Sequence, residues 1–439
     1  MSIDSRKVRE GDLFVALVGD RTDGHEHVAE AFRRGAVAAL ISKDLAGLGG
    51  YRDRAVIRVD DTRIALVRLA ERYRRELSAV IVGVTGSNGK TTVKDLVAHL
   101  LEPLGRVVKA EKSFNNDIGL PLTLLSMDSE TRVGVVEIGT NHPGEIRRLC
   151  RIARPDLGVV TNVGQAHLAG LGGILDVAKE KGSLVEALPE HGMAFLNFED
   201  MHCREMARKA RCPVITFGAD PSADLWCLRR RRTSGGISFY LYGKMEMRLP
   251  VFGLHNAMNA LAAIGVALRL GVAPMTIRDR LATFTAPDMR LSRTVVGGVT
   301  LINDAYNANP DSVGAAIEEL QAIPAEGRRI LVLGDMFELG EHSARLHRRV
   351  GVRAARSGID TIWAIGKHAG NVGDGAISVD RWTGEIHLSP TTAAAIENTP
   401  VALAPGDVVL VKGSRGMRLE RLYPRLAELP AGAEAASPV

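Results

Sequence analysis

Four cysteines in 439 residues, Cys150, Cys203, Cys212 and Cys227, show no C-x-x-C spacing. No disulfide framework or zinc site is therefore expected, and reduced thiols in a cytoplasmic protein are. Aromatic residues make up only 4% of the chain, which leaves few stacking platforms for single-stranded nucleic acid. No apolar run approaches the ~18 residues of a membrane-spanning helix. The opening "MSIDSRKVREGDLF" lacks the apolar stretch of a secretion signal. No internal repeat of solenoid period is present.

The net charge is +5. A basic balance suits nucleic acid or an anionic small substrate, and with so few aromatics no nucleic-acid partner is expected. The densest basic run, Arg229 to Arg232, precedes "TSGG", which reads as a hairpin turn, so this run is expected on a solvated strand edge.

A chain of this length supports two to four domains of ~100–200 residues. Residues 1–78 read as a small α/β unit. "GDLFVAL" and "AVIRV" are strands, "HVAEAFRRGAVAAL" has helical apolar spacing, and "TRIALVRLAERYRREL" is a helix leading out. Residues 79–290 alternate strand and helix. "AVIVGVTG", "RVGVVEIG" and "PDLGVVTNVG" are near-continuous apolar runs suited to buried parallel strands. Short strands between about 213 and 252 predict a small antiparallel sheet. "GLHNAMNALAAIGVALRLG" predicts a helix buried on more than one face. A third α/β unit, 291–439, carries "GVTLIND", "RRILVLGD", "DTIWAIG" and "DVVLVKGS". It is dinucleotide-fold-like, without G-x-G-x-x-G after its first strand. The tail "LPAGAEAASPV" is expected to fray.

Ligands of doubly wound sheets gather beyond the carboxyl ends of the strands. After the first central strand comes "VTGSNGKTT". Its glycines, Gly86 and Gly89, give a tighter loop than the usual nucleotide-binding spacing, which would need glycine where Val84 stands. Gly86, Ser87, Asn88 and Gly89 lead into Lys90, Thr91 and Thr92. Backbone N–H groups and a helix N-terminus are expected to hold phosphate, with Lys90 against the β/γ-phosphates and the Thr91 hydroxyl on Mg²⁺. Glu137 closes an apolar strand, a costly place for a carboxylate unless it is paired or bound to metal; a Mg²⁺ role is expected. His167 admits two readings, a loop histidine held by hydrogen bonds or a metal ligand, and its company favours the second. Lys179 and Lys181 read on sequence alone as surface lysines. His342 and His347, five apart, share no helix face and are expected at the surface.

The tight "TGSNGKTT" loop, "EIGTNHPGEI", "NVGQAHLAGLG", "AKEKGSL", "HNAMNALAA" and "NDAYNANP" resemble the ATP-dependent Mur ligases of peptidoglycan synthesis, in order and over nearly the whole chain. "SFNNDIGLPLTLL", "DAYNANPDSV", "VLGDMFELGEHS" and "VKGSRGMRLE" are most similar to the branch that handles D-Ala-D-Ala. The Asp-Asn-Pro-Arg motif of the tripeptide-forming branch is absent. The resemblance implies a three-domain α/β architecture: a UDP-substrate-binding domain (1–78, trimmed at its N-terminus), a central parallel-sheet ATP-binding domain (79–290), and a Rossmann-like C-terminal domain presenting the dipeptide (291–439). It implies ATP, two Mg²⁺ ions, a UDP-MurNAc-tripeptide and D-Ala-D-Ala as ligands, in a cytoplasmic enzyme expected to be a monomer.

Carried over by motif, Thr91 and Glu137 hold the metal on the ATP phosphates. His167 holds the second ion, and Lys181 is carbamylated and ligates it. Asn259, with Asn256, reads the adenine edge. Arg290, Asp304, Tyr306 and Asn309 reach ATP from the far side of the cleft. Ser5, Arg6, Asp23 and Gly24 meet the UDP, and Asn115 and Asn116 the sugar or peptide. Two departures stand out: relatives carry a strand and helix before "SIDSR", and "HLAGLGG" replaces the usual "HLEGFGS". Rivals are another amide ligase of the group, either the tripeptide-forming ligase or a folate polyglutamylase, the latter expected to lack the UDP domain, and a non-catalytic nucleotide-binding regulator. The regulator has no need of Glu137, His167 and Lys181 together with the loop.

Overall fold

The computed structural model describes residues 1–19, 22–45, 51 and 53–428; the tail from 429, expected to fray, lies outside them. The first unit is a parallel sheet of β1 (Leu13–Val15), β2 (Ala38–Ile41) and β3 (Ala55–Arg58), with α1 (Val28–Arg33) and α2 (Thr62–Arg74). The helical spacing of "HVAEAFRRGAVAAL" overreaches. Gly35, at φ +105°, ends the helix, and "AVAAL" turns back as the buried middle strand. The Asp61 carboxylate accepts the N–H groups of Arg63 and Ile64 and caps α2.

The central unit contains β4 (Val80–Thr85), α3 (Lys90–Leu101), β5 (Arg106–Lys109), α4 (Gly119–Leu125), β6 (Thr131–Glu137), α5 (Glu145–Ala153), β7 (Leu157–Val160), α6 (Leu168–Leu171), α7 (Ile174–Glu186), β8 (Met193–Asn197), α8 (Met201–Ala207), β9 (Val214–Gly218), β10 (Leu225–Thr233), β11 (Gly236–Leu241), β12 (Met245–Leu249), α9 (Asn256–Arg269) and α10 (Pro274–Leu281). Its strands lie in the order β12-β11-β10-β9-β8-β7-β4-β6-β5. From β5 to β10 all neighbours run parallel, and only β10-β11-β12 pair antiparallel. The expected separate antiparallel sheet is therefore a continuation of the central one, because β10 pairs with β9 on one side and β11 on the other. Arg229–Arg232 nevertheless lie where β10 pairs only with β11, because β9 meets β10 only at Leu225 and Trp226, so the run sits on a solvated strand edge, as expected. Their side chains are solvated, and Arg232 pairs at 2.9 Å with the buried Glu319 of the third unit.

Helix α9 is buried on nearly every face by Ala257, Ala260, Leu261, Ala263, Ile264 and Ala267, and packs with α3 on one face of the sheet. Helices α4, α5, α7 and α8 cover the other face. The connections from β4 diverge, to β5 and β6 on one side and to β7 onward on the other. That divergence opens a crevice at the carboxyl end of β4.

The third unit contains β13 (Ser292–Val296), β14 (Val299–Asp304), α11 (Pro310–Ala322), β15 (Arg329–Gly334), α12 (Ser343–Arg356), β16 (Thr361–Ile365), α13 (Ala369–Ile377), β17 (Glu385–Ser389), α14 (Thr392–Glu397), β18 (Val408–Lys412) and α15 (Tyr423–Ala427). The strand order is β13-β14-β18-β15-β16-β17, with only β13 antiparallel. Strands β13 and β17 escape an apolar-run search because both are exposed at sheet margins. Leu168, Leu171 and Val177 of the central unit join the core of the third. Among the described residues, no helix is long and apolar enough to cross a membrane, and the four cysteines are free and buried.

Candidate active site

The phosphate loop leaves β4 and is held in shape before any ligand arrives. Asn162 accepts the N–H groups of Ser87 (2.9 Å) and Asn88 (2.9 Å), through its backbone carbonyl and its side chain respectively. The Ser87 hydroxyl accepts the Gly164 N–H at 2.8 Å. Gly89 caps α3 at φ +83°, a left-handed conformation that costs an ordinary residue about 1–2 kcal/mol. A Cβ there would also collide with the Asn259 amide. Asn259 donates to the Asn256 carbonyl oxygen at 2.7 Å, and Asn256 to the Phe252 carbonyl. The two asparagines expected to read adenine thus form one buried pair against the loop.

Lys90 is half-buried, its Nζ donating to the Gly86 carbonyl at 2.7 Å. Burial depresses its pKa, and Glu137 partly opposes this. Thr91 donates to Glu137 Oε2 at 3.0 Å, and Asn115 to Glu137 Oε1 at 2.9 Å. This resolves how a carboxylate, 1% exposed, ends an apolar strand. Thr92 is buried on α3.

The third unit, together with Arg290 at the junction leading into it, reaches over this loop. Arg290 donates to Thr91 Oγ1 at 3.1 Å and lies 4.3 Å from the centre of the Tyr306 ring, leaving its Nε buried without a partner. The Tyr306 hydroxyl bonds Ser113, and Asn309 donates to Asn88 at 2.8 Å while capping α11. Asp311 accepts the Gln165 N–H at 2.8 Å. Asp304 pairs at 2.6 Å with Lys412, which is 2% exposed. The space enclosed is about 650 Å³ and is lined by the loop, Glu137, His167, Asn256, Asn259 and these third-unit residues.

Not every expected residue joins that set. His167 lines the cavity but is occupied by Glu338, 2.5 Å from its Nδ1. That hydrogen bond holds the Glu338 carboxyl below its ordinary value. Lys181 overturns its sequence-only reading as a surface residue. It is 1% exposed on α7. Burial first, then the nearby Lys90, push its pKa well down. Lys179 is exposed, as expected. No group of three or more acidic, histidine or cysteine side chains clusters as a metal cage among the described residues. Thr91 with Glu137 still suits Mg²⁺, which is commonly held by one or two protein oxygens plus phosphates and water. Asn116 is not among the residues lining the cavity; its side chain accepts the N–H groups of Ile118 and Gly119 just before α4.

The expected UDP residues form a separate group in the first unit. Ser5 donates to Glu30, Arg6 pairs with Asp4, and Asp23 binds Lys43 and His25, which hold its carboxyl down. A Cβ at Gly24 would press on the Leu17 backbone. Sequence reasoning assigned no role to Glu338, Lys412 or Ser113. Lys412 carried a usable signal, since it ends an apolar strand as Glu137 does.

His347 is a correction: it is buried, not at the surface. Its Nε2 accepts the Met336 N–H at 2.9 Å, its Nδ1 faces the Ser343 carbonyl, it stacks on His368, and Asp335 lies 3.8 Å away. His342 sits in the turn before α12. Burial lowers the His347 pKa, so the unfolded chain, at ~6.5, takes up a proton first as pH falls. Stability present above that pH should decline below it. Calorimetry should give His347→Gln a lower melting temperature at pH 8 but a shallower loss towards pH 5. Superimposable pH slopes would show that His347 is not the group responsible.

Comparison with known proteins agrees over the chain's full span. Family models match residues 1–74 (Mur ligase family, catalytic domain), 84–267 (Mur ligase middle domain) and 289–415 (Mur ligase, glutamate ligase domain). The chain is 36% identical to the UDP-N-acetylmuramoyl-tripeptide–D-alanyl-D-alanine ligase of Bacillus subtilis, covering 98% of this chain and 93% of that protein. It is also 36% identical to the Escherichia coli enzyme of the same name, with the same coverage. Among solved structures, MurF from Acinetobacter baumannii superposes with a TM-score of 0.86 at 30% identity, covering 97% of this chain and 93% of that one. MurF from Thermotoga maritima in complex with ADP gives 0.79 at 28% identity, covering 97% and 96%.

Proposed function

The chain belongs to the Mur ligase family, and from that premise we infer that it joins D-alanyl-D-alanine to UDP-N-acetylmuramoyl-tripeptide at the expense of ATP, giving the pentapeptide precursor of peptidoglycan. The observation that carries this is the phosphate loop with Lys90, Thr91 and Glu137 facing Arg290, Asp304, Tyr306 and Asn309 across one cavity. The likeness to D-alanyl-D-alanine ligases over 98% of the chain supports the substrates.

The chemistry explains the residue types. A carboxylate becomes an acyl donor only when one oxygen is made a good leaving group. The tripeptide carboxylate takes the γ-phosphoryl group, and the dipeptide amine then attacks the carbonyl carbon. A C–N bond forms, the C–O bond breaks, and phosphate leaves. Anion must approach anion in the first step, so fixed positive charge is needed at the phosphates. The loop N–H groups, the α3 N-terminus and Lys90 supply it, with Arg290 closing from the other side. Thr91 and Glu137 would hold a Mg²⁺ ion, whose chemistry there would be charge neutralisation at the phosphates. Asn256 and Asn259 are suited to the adenine edge, and Asp304, oriented by Lys412, to the ribose. Residues 1–78 would take the UDP end, 79–290 the ATP and 291–439 the dipeptide. Dependence on ATP fits a cytoplasmic enzyme.

Phosphate release should require ATP, Mg²⁺, D-Ala-D-Ala and a UDP-tripeptide together. Assays with the lysine and diaminopimelate tripeptides identify the third residue. Equal release without the UDP-tripeptide refutes the ligase reading.

Carbamylation of Lys181, with His167 as fellow ligand of a second Mg²⁺, is a separate part of the proposal, because the modification belongs to the branches that add the second and third residues. Its support is an amine 1% exposed on α7 whose pKa burial pushes well below the ordinary lysine value, in the direction that attack on CO₂ requires. The amine gains CO₂ and loses a proton. Protein equilibrated with ¹³C-bicarbonate should show one carbamate resonance, absent from Lys181→Ala. No resonance in the wild type means that Lys181 works as a plain lysine.

A further inference from the structure

The basic run Arg229–Arg232 takes no part in the reaction described above, and it belongs to an open sheet face. Alternate residues of β10, β11 and β12, among them Cys227, Phe239 and Met247, enter the core beside α9. The residues between them lie on the other face. There the register sets Leu228 beside Tyr240 and Glu246, and Arg231 beside Ser238 and Arg248. Trp226 meets the Tyr242 ring edge-on at 5.8 Å, and a Cβ at Gly243 would touch both Trp226 and Leu228. Three of the chain's nine tryptophans and tyrosines therefore share this one face. Leu228 is 38% exposed and Tyr242 39%, while Trp226 and Tyr240 are half-buried.

Cations crowd the same ribbon. Arg229, Arg230, Arg231 and Lys244 are all exposed. Two neighbouring carboxylates are already engaged: Glu246 pairs with Arg248, and Asp224 accepts the Thr216 N–H and hydroxyl. Two of the exposed side chains are held at a backbone cost. Arg229 has φ +53° where the register of β10 shifts, and Tyr242 has φ +50° in the tight turn before β12. Such turns ordinarily use asparagine, aspartate or glycine. Left-handed backbone in bulkier residues clusters at functional sites, and here it presents an arginine and a tyrosine to solvent.

An aromatic and aliphatic cluster beside free arginines matches the boundary of an anionic bilayer. Trp and Tyr settle there with the ring in apolar surroundings and the polar tip wet, and cations are drawn to the charged surface. We propose that this face of β10–β12 docks on an anionic lipid membrane, with Trp226, Leu228 and Tyr242 in the headgroup layer and Arg229, Arg230, Arg231 and Lys244 at the lipid phosphates. Fluid headgroups need no fixed groove, only a cationic face with an apolar centre. Single-stranded nucleic acid fits less well. Trp226 and Tyr242 pack against each other, and the Arg229 guanidinium stands 5.6 Å over the Tyr240 ring, so the rings are not spread as separate stacking platforms. The phosphate loop leaves β4, four strands from β10, so docking here leaves the reaction cavity open.

The full chain should sediment with vesicles of phosphatidylglycerol and phosphatidylcholine in equal parts, and stay in solution with phosphatidylcholine alone. Binding should weaken as salt rises from ~0.1 M to ~1 M, over which the screening length falls from about 10 Å to about 3 Å. Arg230→Ala combined with Arg231→Ala should weaken it roughly 25-fold, about fivefold per cation. Both side chains are exposed and remote from the cavity, so that variant should ligate soluble substrates at the wild-type rate. Trp226 emission should shift to the blue on the anionic vesicles, and Trp226→Phe should lose the shift. Tyr242→Asn separates binding from folding. Asparagine tolerates the left-handed turn, so the melting temperature should hold or rise while vesicle affinity falls. A wild type that binds neither vesicle, or both alike, overturns the proposal, and so does full affinity in the double arginine variant. Binding of a polythymidine oligonucleotide without binding of vesicles would assign the face to nucleic acid instead.

Discussion

Lys90→Ala should slow ligation at least about 10²-fold, near 3 kcal/mol of lost transition-state stabilisation, the scale set by removing one preorganised donor from an active site. The side chain donates to the Gly86 and Ser87 carbonyls. Its charge is thereby parked over the phosphate loop, where ATP must place its own. Burial already depresses its pKa, and a triphosphate beside it restores the preference for the charged form. The effect on folding should be small. Two hydrogen bonds are lost, each worth about 1 kcal/mol, while the cost of partly desolvating an ammonium disappears. A melting temperature within a few degrees of wild type, beside a collapsed rate, would separate charge stabilisation from structure. Lys90→Arg should not restore the rate, because a planar fork cannot replace a compact ammonium inside a loop this tight. A near-normal rate for Lys90→Ala would mean that the loop does not hold the transferred phosphate.

The central sheet was legible for a simple reason. Its parallel strands are buried on both faces, so they are written as apolar runs, and each run ends where chemistry begins. Val80 to Thr85 leads to the phosphate loop and Thr131 to Glu137 ends on its carboxylate. The same rule applied to the third unit finds Lys412 at the end of β18 and Asp304 at the end of β14. Lys412 was missed because lysine after an apolar run also reads as a strand simply reaching water. What the sequence hides is set by contacts distant along the chain. Lys181 lies on a helix of mixed pattern, and only the packing of α7 beneath the loop shows that it is buried. His347 is five residues from His342, but its burial comes from His368 and from Met336. Glu338 meets His167 across 171 positions, and no local spacing encodes that pair. The small β12 hairpin was placed in its own sheet because alternation reports antiparallel pairing but not what lies beyond the next strand.

Gly89→Ala should weaken ATP binding by more than about tenfold and destabilise the protein by more than backbone strain alone explains, and the chain supplies its own control. Gly89 and Gly144 are both helix N-caps, at φ +83° and +84°. An alanine at either must enter the left-handed region, at a cost of about 1–2 kcal/mol. Their surroundings differ. A Cβ at Gly144 meets nothing within 4 Å, whereas one at Gly89 runs into the Asn259 amide. Asn259 cannot give way freely, because it is buried and donates to Asn256 at 2.7 Å, which in turn donates to Phe252 at 2.7 Å. The new methyl group must therefore break that pair or tilt the first turn of α3, whose N–H groups await phosphate. Either change reaches both the expected adenine contact and the phosphate contact. Gly144→Ala should accordingly cost only the conformational strain and leave the KM for ATP unchanged. In Gly89→Ala, calorimetry should show a larger fall in melting temperature and titration with ADP a loss of affinity. If the two variants lose equal stability and both bind ADP normally, the Asn256–Asn259 pair does not support the nucleotide, and the adenine assignment falls with it.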